Sequence, residues 1–310
     1  MRKIPSALAI LGLATVGLAG CSLPGSSDCS EPVSDAELLD VVEVSGEVGS
    51  APDVELYTPF HVTEGSSATL EQGTGGATIT RDDQLVVIDF TLVSGETGET
   101  LVASPYSEEQ SNVLGLPQIV QTFPTWGDAL QCASAGSRVV VSLAPEDIEA
   151  EAAASIGLAE GDSAVAVIDV HKVYLGAADG ADQFNSGTGM PTVVRTPDGR
   201  PGLIIPEGDA PADVVVQTIK KGDGEVVTAD APVRAHILGV PWGETEAVTN
   251  TWDSQPQSVP LDSDPVLAEA LVGQTIGSQV LVVVPAEQGG TEKPTVFVFD
   301  LLGVDPGAAQ

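Results

Sequence analysis

The chain has 310 residues, 42% of them hydrophobic, and sets 11 Lys+Arg against 45 Asp+Glu for a formal net charge of −34. So acidic a surface repels nucleic-acid phosphates and anionic lipid headgroups, which excludes nucleic-acid binding and leaves any membrane attachment to something other than charge. The length and apolar content suit two cores of ordinary size.

The first element is a leader. Arg2 and Lys3 precede a short apolar run that ends in Leu18-Ala19-Gly20-Cys21, so residues 1–21 read as a signal peptide, too short for a stable membrane span. The LAGC ending resembles the lipobox of bacterial lipoproteins, whose cysteine carries the lipid and becomes the mature N-terminus. The resemblance implies that Cys21 is lipidated and anchors the protein to the cell membrane, outside the cytoplasm. The plain alternative is a secretory signal followed by a chance cysteine. Residues 22–40, SLPGSSDCSEPVSDAELLD, read as a flexible spacer. Of the cysteines, only Cys29 and Cys132 then remain; they are either bridged or two free thiols, and the bridge is the preferred reading.

Beyond the spacer the pattern is of short strands rich in Val, Ile, Thr and Phe, punctuated by Gly, Asp and Pro. They fall at 86–93, 137–143, 163–174, 214–219, 279–284 and 295–302, with short helices expected at 126–134 and 264–272. Between them, 177–206 reads as a linker. The order recurs: GTGGATITRDDQLVVIDFTLVSGETGE at 73–99 is echoed by GDGEVVTADAPVRAHILGVPWGETEA at 222–247, and AGSRVVVSLAP at 135–145 by IGSQVLVVVP at 276–285. A tandem duplication of an α+β unit follows, with domain 1 over 41–176, domain 2 over 207–305 and a tail at 306–310.

The repeated unit resembles the FKBP-type peptidyl-prolyl isomerases, and specifically their tandem lipoprotein forms in high-GC Gram-positive bacteria. The residues that carry the resemblance are VVVQTIKKGDGEVV at 214–227, LVGQTIGSQVLVVVP at 271–285 and TVFVFDLLGV at 295–304; it covers 207–305 well and 41–176 more faintly. It implies a fold class of α+β with two FKBP-like domains, each a curved antiparallel sheet wrapped around one short helix. It also implies an extracytoplasmic isomerase or folding helper acting on X-Pro bonds of proline-containing exported polypeptides, with no metal and no cofactor. The alternative is a non-catalytic module that binds peptides or partners.

The same resemblance marks the pocket residues. In domain 2, Ile237 falls at the pocket tyrosine, Val248-Thr249 at a Phe-Asp pair, Leu267 at the floor tryptophan and Phe297 at the closing phenylalanine, while Trp252 fits a tryptophan that follows the pair. A shifted register puts Trp252-Asp253 on the pair itself. In domain 1, Trp126 stands at the floor and Phe90 at the tyrosine, with Leu101-Val102 at the pair and Ala166 at the closing position. Both pockets are thus apolar and short of polar contacts, which implies reduced or absent activity; domain 2, closer to the family overall, is the better candidate, and the domain 1 pocket of Phe90 and Trp126 is expected to be inactive. Taken alone, each of these aromatic and aliphatic residues would serve equally well as core. His61, His171 and His236 lack ligand spacing, no G-x-S-x-G elbow is present, and GDGE at 222–225 is a turn.

Overall fold

The computed structural model describes Cys29 and residues 34–107, 112–185 and 187–306; the expected signal peptide, Cys21 and most of the expected spacer lie outside these. Packing starts earlier than residue 41. The Asp35 N–H donates to the Ser67 carbonyl at 2.8 Å, and helix α1 (Leu38–Val41) buries Leu38 beside Val42, Val140, Val165 and Val167. Residues 35–40 therefore belong to domain 1 and not to the spacer, because Leu38 has apolar partners to join.

Domain 1 opens with a hairpin, β1 (Val42–Ser45) and β2 (Asp53–Leu56). A six-stranded antiparallel sheet follows, made of β3 (Ser66–Glu71), β4 (Leu85–Ser94), β5 (Thr100–Ala103), β6 (Leu114–Gly115), β7 (Arg138–Leu143) and β8 (Ala164–Val173). Its order is β3-β7-β8-β4-β5, with β6 pairing β4. Helices α2 (Leu116–Thr122) and α3 (Pro124–Ala129) lie between β6 and β7; the single helix expected at 126–134 instead starts at Pro124 and stops at Ala129, and Pro124 separates it from α2, which was not expected.

Domain 2 repeats the plan. A hairpin of β9 (Thr192–Arg195) and β10 (Pro201–Ile204) precedes β11 (Val215–Lys221), β12 (Val233–Pro241), β13 (Thr249–Asn250), β14 (Gln257–Val259), helix α4 (Pro265–Leu271), β15 (Gln279–Val284) and β16 (Thr295–Val304). The order β11-β15-β16-β12-β13, with β14 pairing β12, matches domain 1 strand for strand, and Ala181–Asp182 adds a short edge strand beside β11. Two units of α+β class with the same strand order result, each an antiparallel sheet with short helices.

Strand alternation sends side chains to two faces, and both faces are covered. On β8, Ala164, Ala166 and Ile168 meet the helix-side core, whereas Val165 and Val167 meet the β1–β2 hairpin. Likewise Val280 and Val282 of β15 face the α4 side, whereas Leu281 and Val283 lie under Val193, Leu203 and Ile205. This corrects the linker. Much of 177–206 is a packed hairpin roofing the outer face of domain 2, drawn there because those alternating apolar residues cover strands that are apolar on both sides.

Each roof is fastened by a buried polar clasp. In domain 1, Arg138 of β7 donates through Nε and Nη2 to the two Asp169 oxygens, both at 2.6 Å, and reaches the carbonyls of Gly46, Glu47 and Ser50 in the hairpin turn. In domain 2 the arginine comes from the hairpin instead: Arg195 Nε donates to Gln279 Oε1 at 2.8 Å, and Gln279 Nε2 donates to Asp300 at 2.7 Å. The domains meet at Tyr174, fully buried among Leu85, Val87 and Leu302, whose hydroxyl donates to Asp305 at 2.9 Å. Arg234 holds the same carboxylate through Nε and Nη2 at 3.0 and 2.8 Å.

Two buried groups set opposite pH dependences. Burial lowers His236 from 6.5 to about 4 and raises the Asp300 carboxyl from 3.8 to about 6. The neutral His236 contributes stability that is fully present above pH 6.5 and lost as pH falls towards 4. For Asp300 the folded state binds the extra proton, so its contribution declines as pH rises from about 4 through 6. Each is worth about 3 kcal/mol, so the two nearly cancel between pH 4 and 6. The urea midpoint of the intact protein should therefore be flat there, and that of His236→Asn should fall as pH rises; a flat variant profile would contradict this.

Candidate active site

The helix-side face of domain 1 gathers an aromatic cluster. Pro117 and Pro124 sit at the first turns of α2 and α3, where a missing N–H costs nothing. The residue before a proline is pushed out of helical geometry, and Phe123 accordingly has φ −130° and ψ 82°. That break turns the Phe123 ring onto Trp126, stacked at 4.4 Å between centroids and 12° between planes. Phe90, on β4, meets Trp126 edge-on at 5.3 Å and 69°. Helices α2 and α3 approach so closely that a Cβ on Gly127 would lie 3.0 Å from Val120.

Trp126 is only 1% exposed, while Phe90 and Phe123 are half-buried. The tryptophan is thus a floor with Phe123 lying over it. Its Nε1–H is buried and meets no acceptor in the structure. Leu101 and Val102 pack against the same core from β5, and Ala166 lies in it on β8.

In domain 2 the equivalent face is built differently. Asp264 caps α4, accepting from the N–H groups of Val266 and Leu267 at 3.0 and 3.1 Å, and Leu267 occupies the place that Trp126 has in α3, two residues after the helix-starting proline. Ile237, Leu267 and Phe297 come together in one cluster with Phe299. Phe297 lies over Gly239, where a Cβ would be 2.7 Å from its ring.

Paired strand positions explain the difference. Phe90 faces Ile168 and Leu92 faces Ala166 in domain 1; in domain 2, Ile237 faces Phe299 and Gly239 faces Phe297. The large ring moves from the first strand of the pair to its partner, and the volume is kept.

Two of the expected domain 2 residues are elsewhere. Val248 is 66% exposed, at a surface groove with Glu244, Lys293 and Thr295. Trp252 stacks on His236 at 4.1 Å and 18°, and His236, next to Ile237 on β12, points to the opposite face of the sheet. There Thr251 Oγ1 accepts from the Ile237 N–H at 2.8 Å and lies 2.9 Å from His236 Nδ1, while Arg200 of the hairpin binds Asp253 at 2.6 Å. Trp252 is therefore part of the outer-face packing. Cys29 and Cys132 form a disulfide with Cα atoms 5.6 Å apart. Cys21 lies outside the described residues.

No family model matches the chain. Two curated relatives do: an FK506-binding protein of Streptomyces anulatus is 28% identical over 120 residues, 34% of this chain and 97% of that protein. A probable FK506-binding protein of Corynebacterium glutamicum is 28% identical over 116 residues, 33% of this chain and 97% of its own length. Over about a third of its length the chain is thus similar to FK506-binding proteins. Among solved structures, the three FKBP domains of wheat FKBP73 align with 77% of this chain and 93% of their own, at 12% identity and a TM-score of 0.32.

Phe123 is the site residue that sequence comparison passed over. Its signal was the Phe-Pro step three residues before Trp126, which both breaks the helix and puts the two rings on one side.

Proposed function

We propose that the protein is a lipid-anchored, extracytoplasmic peptidyl-prolyl cis-trans isomerase that acts on X-Pro bonds of exported polypeptides, with its working pocket in domain 1. The observation that carries this reading is the Phe90–Trp126–Phe123 cluster, in a chain whose relatives are FKBP-type proteins. An X-Pro bond crosses a barrier of about 18–20 kcal/mol and takes tens to hundreds of seconds unaided. An apolar aromatic surface favours the twisted amide, which has lost resonance and polarity, over the planar one. That is differential binding of the transition state, and it needs no nucleophile, metal or cofactor.

Domain 2 keeps an apolar face but has Leu267 at the floor and Phe297 seated over Gly239. These features favour a non-catalytic role for it, in peptide or partner binding.

The test is a cis/trans assay on X-Pro peptides with the full chain. Trp126→Leu, which gives domain 1 the residue domain 2 already has, should lower kcat/KM by about tenfold or more, the effect of roughly 1.4 kcal/mol of lost transition-state binding. Phe297→Leu should leave it within about twofold. Equal rates for Trp126→Leu and the unaltered protein would overturn the assignment. Mass analysis of membrane-extracted protein checks the lipid on Cys21.

A further inference from the structure

The disulfide joins two parts of the chain that no secondary structure connects. Cys132 lies three residues beyond the end of α3, is 5% exposed and has a left-handed φ of 64°. Its N–H donates to the Ile79 carbonyl at 2.9 Å, and the Ile79 N–H returns a bond to Ala133 at 2.9 Å. Cys132 is therefore a fixed point of domain 1, at the end of the helix that carries Trp126. Cys29, bonded to it, comes six residues before Asp35, the first of the described residues after Cys29 to make a backbone hydrogen bond.

Chain length turns this into a geometric limit. Cys29 follows Cys21 by eight residues, whereas Asp35 follows it by fourteen. At roughly 3.3–3.6 Å per residue, the maximal reach from Cys21 is about 27 Å to Cys29 but about 48 Å to Asp35. The bridge thus cuts the tether almost by half and moves its attachment from the outer-face side of domain 1 to the α3 end.

On the reading that Cys21 carries a lipid, we propose that the Cys29–Cys132 disulfide docks the α3 end of domain 1 next to the bilayer. The surface around it, from Gln72 to Thr78 and at Ser134, becomes the membrane-facing edge. Trp126 lies six residues before Cys132, at most about 20 Å of chain and less because the first half of that stretch is helical. The pocket is held within roughly 50 Å of the lipid surface by these reaches. Its substrates are X-Pro segments that pass close to the membrane, and reduction of the bridge releases it to a wider volume.

The experiment uses the full-length lipidated protein on phosphatidylcholine/phosphatidylglycerol vesicles containing a rhodamine-labelled lipid. A donor dye is placed through a genetically encoded azide at Thr74, an exposed residue of the proposed edge, or at Glu292 in domain 2. Transfer from Thr74 should exceed that from Glu292 and fall by roughly half when the reductant tris(2-carboxyethyl)phosphine lengthens the reach. Because Cys132→Ser also weakens the fold, a second variant keeps the bridge and inserts about six Gly/Ser residues between Cys21 and Cys29. It should lower transfer to the same extent with unchanged thermal unfolding. Vesicle-bound protein whose transfer ignores both reduction and insertion overturns the docking proposal while leaving the anchor intact. Protein that does not bind vesicles overturns the anchor reading, and the docking falls with it.

Discussion

Replacing Phe123 with alanine is expected to uncover Trp126 and to speed X-Pro isomerisation. In the folded protein the Phe123 ring stacks on the indole at 4.4 Å, so one face of the floor is already occupied by a side chain of the protein itself. A proline ring that packs there must displace Phe123 or settle beside it, and the free energy of the stack opposes binding. Aromatic pairs contribute about 0.5–1.5 kcal/mol beyond their buried area. Removing the ring should therefore raise kcat/KM severalfold, at a cost in stability of about 1–3 kcal/mol, smaller than for a fully buried phenylalanine because Phe123 is half-exposed. In a Trp242→Phe, Trp252→Phe background, Trp126 emission should shift to the red and acrylamide quenching should rise. Unchanged quenching would mean that another group covers the indole.

The larger loss of stability is expected at Arg138. Its guanidinium is 1% exposed and its partner Asp169 is fully buried; Asp169 also accepts the Gly49 N–H at 2.7 Å. Arg138→Met leaves that carboxylate uncompensated and strips three turn carbonyls of their donor, which should cost about 3–5 kcal/mol in urea unfolding. Arg138→Lys should not rescue it, because an ammonium cannot make the two parallel bonds and still reach the turn. Arg138→Met combined with Asp169→Leu should recover much of the loss, since no lone charge remains. Amide exchange in β1 and β2 should quicken in the single variant, because the clasp holds that hairpin. A single variant as stable as the unaltered chain would show that the pair contributes nothing net.

Much of the fold was legible in the residues. The six strand segments, the short helix at 264–272 and the duplicated order all follow from local signals: β-branched runs, glycine turns and a cap-Pro start. The hairpins over the outer faces were not. Residues 38–56 and 192–204 are short, acidic or glycine-rich, and what orders them is contact with strands distant in the chain, together with an arginine in each clasp, Arg138 buried and Arg195 half-buried. A spacer and a linker are what such composition looks like when its partners are out of view.

The candidate site was legible in part. Ile237, Leu267 and Phe297 lie together in one apolar cluster, and Trp126 and Phe90 are in contact in domain 1. Trp252 and Val248 do not join them, because alternation along β12 puts His236, and the ring stacked on it, on the other face. Sequence spacing counts positions without fixing which side of a sheet a connection will cross.

From the chain alone came its acidic, duplicated, strand-rich character and the residue types at each pocket position, since these rest on composition and local pattern. Only the tertiary structure decided which aromatic rings meet. The exchange of Phe90/Ile168 and Leu92/Ala166 for Ile237/Phe299 and Gly239/Phe297 is a property of paired strands. So is the closing of Trp126 beneath Phe123 a property of two helices broken at Pro124. Volume must be conserved across a packed pair, and a pair exists only once the strands have found each other.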